Sequence, residues 1–188
     1  MTNTILRGIG VVTLGAAMTL SAQSVASASS ATFQDCRGVT VDKTAPVVSR
    51  ASALIKAPLA EIWRLHTDID HWRSWIPEIA PAHKETPGPL RPGSVFSWSP
   101  QNMHAVSTIK TVKPLGCTAW GAPVNGITGV HLWTFKPTRD GVLATTEESW
   151  AGPPVEADVP GNQSSLDQGL ADWVHRLRDT AEARSGCH

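Results

Sequence analysis

Apolar and polar positions alternate through much of this chain. In "PVVSRASALIKAP", Arg50, Ser52 and Lys56 share one face and Ala51, Ala53 and Ile55 the other, the pattern of a half-buried strand. Pro58 follows, a residue suited to a helix start. "LAEIWRLHTD" then carries Leu59, Ile62, Trp63 and Leu65 at helical spacing. "DHWRSWIPEI" predicts a second short helix or turn, interrupted at Pro77.

The middle of the chain predicts strands and turns. "PGPLRPG" is a loop, and "SVFSWS" places Phe96 and Trp98 on one face. "MHAVSTIKTV" and "GCTAWGA" continue the sheet. "GVHLWTFKP" aligns His131, Trp133 and Phe135, and "TRDG" carries the Asp-Gly hairpin signal. In "VLATTEESWAG", Ala144, Thr146, Glu148 and Trp150 share a face. "GPPVEADVPGN" predicts a loop. A long helix from about Ser164 to Ala183 closes the chain, with Leu166, Leu170, Trp173, Leu177 and Ala181 as its apolar stripe. A strand, short helices, a run of strands and one long helix make an α+β fold. The helix would lie across a curved antiparallel sheet and leave a cavity beneath it.

The first residues fit a different purpose. Arg7 precedes the apolar run Ile9–Leu20 and a small-residue tract, "SAQSVASASSA", the layout of a secretory signal peptide. A run of 12 residues is short of the ~20 that span a bilayer, so no stable membrane anchor is expected. The expected organisation is 1–28 signal peptide, 29–45 extended lead-in, 46–184 folded domain and 185–188 tail. Secretion follows as the expected localisation. The 16 basic residues, less Arg7, nearly balance 16 acidic ones, and no long basic run invites nucleic acid as a partner. Oligomeric state is not encoded in any pattern of this kind.

Export permits a disulfide. Cys36 and Cys187 lie near the two ends of the mature chain and termini are often close, so a Cys36–Cys187 bridge is expected, with Cys117 a buried thiol. Composition adds one oddity: eight Trp, three Phe and no Tyr. Large aromatics in that number suggest an aromatic-lined cavity. The other reading is a core that happens to use Trp.

In "IWRLHTDIDHWRSWIPEI", Asp68, Asp70 and His71 are candidates for a metal site, but no further ligands stand at suitable spacing. Turn formation and capping by Asp are the favoured roles; no metal and no cofactor is expected. Trp72 and Trp75 either line a pocket or pin the short helix to the core. Trp98, Trp133 and Trp150 come from different strands and project inward together; Trp120 depends on whether a bulge changes its phase. His131 and Glu148 each share a face with a nearby Trp. A carboxyl buried there would have a raised pKa and could act as acid or base. Structural pairing of Glu148, with Arg50 as one partner if the faces are misassigned, is the competing role. His104 is a weaker candidate.

The segment "ASALIKAPLAEIWRLHTDIDHWRSWIPEI" resembles the opening of the SRPBCC superfamily, the START or Bet v 1-like helix-grip proteins. The later "GSVFSW", "STIKTVKP", "TAWGAP", "HLWTFKP" and "TTEESWAG" and the closing helix follow in that family's order. More narrowly the chain is similar to bacterial polyketide cyclase/dehydrase-like proteins. The resemblance covers about Val47 to Ala183. It implies a pocket between sheet and long helix for a small apolar or aromatic ligand: a lipid, a polyketide or an aromatic metabolite. Trp72, Trp75, Phe96, Trp98, Trp120, His131, Trp133, Glu148, Trp150 and Trp173 are the residues expected to line it. A secreted binding protein is the first expectation. A polyketide aromatase/cyclase using Glu148 and His131 as acid and base is the second; export, and the absence of Tyr, count against it.

Overall fold

A computed structural model of the chain describes Met1, Cys36 and residues 38–186 other than 101, 102 and 122. The rest of the expected signal peptide, and Cys187, lie outside the described residues. Seven strands form one antiparallel sheet: β1 (Val47–Ile55), β2 (His83–Lys84), β3 (Val95–Trp98), β4 (Ala105–Lys113), β5 (Cys117–Gly121), β6 (Thr128–Thr138) and β7 (Gly141–Ala151). Their spatial order is β1-β7-β6-β5-β4-β3-β2. Among the described residues three α-helices accompany the sheet: α1 (Leu59–Thr67), α2 (Pro153–Ala157) and α3 (Val159–Ser185).

The alternation along each strand decides its faces. Along β6 the inward residues His131, Trp133 and Phe135 are fully buried, and across from them on β7 stand Glu148, Thr146 and Ala144. Further strand pairs extend these matches into rows. Ile109, Trp120, His131, Glu148 and Ser49 form one continuous row across β4, β5, β6, β7 and β1. A bulge between Ile109 and Thr111 shifts the β4–β5 register, and Trp120 still faces inward, 1% exposed.

Helix α3 covers this inner face. Its predicted stripe is buried, joined by Val174. The helix starts earlier than the pattern predicted, and α2 precedes it where a loop was expected. Both tolerate their prolines because Pro occupies the first turn of each, where its missing N–H costs nothing. Asp158 caps α3 by accepting from the Gly161 N–H at 3.0 Å. Between α1 and β2 the chain makes two 3₁₀ turns, Ile69–Ser74 and Pro77–Ile79.

The described part of the lead-in, Cys36 and residues 38–45, lies over the opposite, outer face. Thr118 and Trp120 point into the core, so Cys117 points outward, and there it forms a disulfide with Cys36. The expected Cys36–Cys187 bridge is therefore corrected, and Cys117 is not a free thiol. Proximity of chain ends gave the wrong partner because the lead-in turns back across the sheet before β1. The bridged Cα atoms are 5.9 Å apart, within the usual span. Alongside, the Asp42 N–H donates to Ser149 Oγ at 3.1 Å and Lys43 pairs with Glu147 at 2.9 Å. Arg50 also meets Glu147, at 3.2 Å; it is on the outer face and does not reach Glu148.

Candidate ligand cavity

One end of the inner face is open. A cavity of about 390 Å³ lies between the first half of α3 and the sheet. Its floor and walls come from Glu148 and Trp150 of β7, Trp98 of β3, Ala105 of β4 and Trp173 of α3. Ile76 and Ile79, flanking and ending the second 3₁₀ turn, close one side; Val124 and Ile127, between β5 and β6, close another. Small residues of α3 stand at this opening, beside the buried Leu166 and Leu170. Ser165 and Gly169 face the cavity, and a Cβ added at Gly169 would meet nothing within 4 Å. One turn further on, Trp173, Val174, Leu177 and Ala181 fill the space against the sheet.

The structure thus separates the residues expected to line one pocket. Trp98, Glu148, Trp150 and Trp173 do line the cavity. Trp72, Trp75, Phe96, Trp120, His131 and Trp133 do not; they belong to the packed core, each at most 5% exposed. Strand alternation gave the right face for these side chains but carries no information on where α3 ends its close contact. Trp72 is pinned from within, its Nε1–H donating to the His66 carbonyl at 2.9 Å. Its ring packs edge-on to Phe96 at 5.6 Å and Trp173 at 5.4 Å. Trp133 stacks with Phe135 at 6.0 Å and meets Trp173 at 5.6 Å.

Glu148 is the cavity's chemical centre. It is 4% exposed. The Trp150 Nε1–H, two residues along the same face, donates to its Oε1 at 2.9 Å. Burial disfavours the charged form and pushes the carboxyl up to about 7, with the Trp150 hydrogen bond pulling the other way. His131 Nδ1 stands 3.1 Å from Glu148 Oε2 but is out of line for a hydrogen bond. The opposite ring nitrogen, Nε2, meets Thr146 Oγ1 at 2.7 Å. Burial, with His66 adding repulsion, holds the His131 pKa well below its ordinary value. Burial thus favours the neutral imidazole in this contact.

Sequence reasoning missed His66. It sits on the buried face of α1, its Nε2 2.7 Å from Thr118 Oγ1, and desolvation pushes its pKa down to about 3. The available signal was spacing: His66 follows Ile62 by one helical turn. Among the cavity's lining residues, the polar ones that sequence reasoning missed are Glu78, at the mouth, and Ser165, Gln168 and Asp172 on α3. Ser165, Gln168 and Asp172 stand at i, i+3 and i+7 along α3, but a polar stripe of that kind also marks an ordinary solvated helix face.

The acidic segment builds turns. His71 Nδ1 pairs with Asp68 Oδ1 at 2.8 Å; Asp68 occupies the cap position without capping through its side chain, since that oxygen faces the ring. Asp70 Oδ1 accepts from the Lys84 N–H at 2.9 Å and pairs with His83 at 2.8 Å, tying the turn to β2. His104 is exposed and does not line the cavity.

A curved antiparallel sheet gripped by one long helix over an apolar cavity defines a helix-grip protein of the START and Bet v 1-like class. The chain belongs to the polyketide cyclase / dehydrase and lipid transport family, whose profile matches residues 46–182. The lead-in and Cys36 precede that match. No curated protein matches the chain. Among solved structures, a hypothetical protein from Helicobacter pylori is similar at 15% identity and a TM-score of 0.65, over 73% of this chain and 89% of that one. A START superfamily protein from Mycobacterium smegmatis is similar at 12% identity and 0.62, over 73% and 98%. A protein of the dynemicin biosynthetic locus, DynU16, is similar at 19% identity and 0.58, over 73% and 48%. These likenesses concern the fold.

Proposed function

We propose that this protein binds a small apolar molecule between α3 and the sheet and acts as an exported carrier or scavenger. The observation that carries the reading is the cavity itself. It holds about 390 Å³, within the range of small-molecule sites, and its walls are Trp, Ile, Leu and Met with few polar groups. Glu148, fixed by Trp150, would orient the ligand. Export is supported by the Cys36–Cys117 disulfide, which suits an oxidising compartment, and by the leader-like pattern ahead of it.

The test is native mass spectrometry of protein collected from its host's culture medium, followed by extraction. A single apolar species released intact at one per chain is expected, on a protein whose N-terminus lies near Ala28. Recovery only from the cytoplasm, with residues 1–28 retained, would refute export.

A second reading is favoured by one specific observation. Glu148, raised to about 7 at the cavity wall, has the pKa of a useful acid or base, as a polyketide cyclase-type enzyme needs. Turnover of a polyketone substrate that Glu148→Gln abolishes while binding persists would establish it. Unchanged substrate mass after prolonged incubation would exclude it for that substrate.

A further inference from the structure

The charges around the cavity are of one sign. Among the described lining residues the ionisable side chains are Glu78, Glu148 and Asp172; no Lys, Arg or His lines it. Glu78 is matched by Arg176, which lies outside the lining. Among the described residues no Lys or Arg pairs with Glu148: one oxygen takes the Trp150 N–H and the other faces His131, whose burial favours the neutral ring. The walls on either side are the indoles of Trp98, Trp150 and Trp173. Indole faces attract cations, most strongly where water is excluded. A carboxylate removed from water and left without a countercharge is costly, and an opposite charge placed against it recovers that cost.

Resting on the reading that the cavity holds an apolar ligand, we propose that this ligand is a cation: an amine or quaternary ammonium carrying an apolar body, its charge seated between Glu148 and the cavity indoles. An anionic amphiphile of the same length meets only like charge there. The remaining titratable groups near Glu148 are His131 on β6, with His66 of α1 behind it, Asp167 and Asp172 on α3, and Glu78 at the mouth. Asp167 reaches the row through Ser49, at 2.5 Å. The carboxylates reinforce the preference, and the neutral imidazoles do not oppose it. Because the bound cation favours ionised Glu148, its binding releases the carboxyl proton. Affinity for the cation therefore rises as pH increases through about 7 and then levels.

The experiment is isothermal titration of the disulfide-intact protein with decyltrimethylammonium, decanol and decanoate, each below its micelle concentration. The cation is expected to bind at least about tenfold more tightly than the alcohol, and decanoate more weakly than both. Glu148→Gln should bring cation and alcohol within about threefold of each other. Asp172→Asn, on the exposed side of α3, should lower the cation's advantage only slightly. The pH profile of the wild-type protein serves where the Gln variant fails to fold: a cation affinity that does not increase between about pH 5.5 and 8 contradicts the proposal. Equal affinities for cation and alcohol would overturn the charge assignment and leave the cavity reading standing. An undiminished cation preference in Glu148→Gln would overturn the placement at Glu148. Failure of all three probes to bind would overturn both readings together.

Discussion

Two halves of one sheet face use the same residue type for different ends. In the packed half, Trp72, Trp120 and Trp133 are at most 1% exposed and touch one another through Phe96, His66 and Trp173. In the open half, Trp98 and Trp150 line a void, with Trp173 as the wall between the two. The strands do not make the difference, since rows of inward residues cross both halves in the same register. Helix α3 makes it: Ser165 and Gly169 leave room that Trp173, Val174 and Leu177 elsewhere fill. A large side chain is core or binding surface according to what the facing helix supplies.

Trp133→Ala should produce the largest change. It removes a fully buried indole, at a cost of about 3–5 kcal/mol in stability, read by chemical denaturation. Trp150→Ala, on the cavity and half-buried, should cost less than about 2 kcal/mol while lowering affinity for an apolar probe by at least about tenfold. Similar stability losses in both variants would break the distinction between the halves.

Next in size is the pH dependence carried by Glu148. Its folded pKa is raised from 4.5 to about 7, so between those values the folded state holds a proton that the unfolded chain has released. The contribution is fully present below 4.5 and is lost as pH rises through about 7, a swing of about 3 kcal/mol at most. Glu148→Gln should therefore gain stability relative to wild type as pH goes from about 4.5 to 8. A constant difference across that window would mean that Glu148 is not desolvated. The core half responds with opposite sign. His66 and His131 have lowered folded pKa values, so stability falls as pH drops below 6.5, where the unfolded chain gains protons that the buried rings refuse. Wild type and Glu148→Gln share that acid limb.

The smallest expected effect is at Gly169. Its added Cβ meets open space in the interior of α3, so Gly169→Ala should raise stability by about 0.5–1 kcal/mol through helix propensity alone. Binding should be retained, because one methyl occupies little of the cavity. Destabilisation would show that the helix packs closely where the cavity is placed.

Much of the fold was legible in the chain. Alternation located β1 and β3–β7, and the 3.6-residue stripe located α3, because burial on one face leaves a period. Two-residue β2 is too short to show one, and Pro-containing first turns hid α2 and the start of α3. For the site, alternation placed Trp98, Trp133, Glu148 and Trp150 on one face, and the structure agrees. It could not separate Trp133 from Trp150, since that depends on which turn of α3 lies opposite. The Cys36–Cys117 bridge was illegible for a related reason: the path of the lead-in over the outer face has no periodic signature.

The comparison can be tested in one spectrum. The eight tryptophans give eight indole N–H resonances, each assignable by substitution, and a titration with decanol reports on all of them at once. Shifts concentrated at Trp98, Trp150 and Trp173, with Trp72 and Trp133 unmoved, are the predicted result. Shifts spread through the packed indoles, or no specific shifts at all, would contradict a preformed cavity beside a closed core.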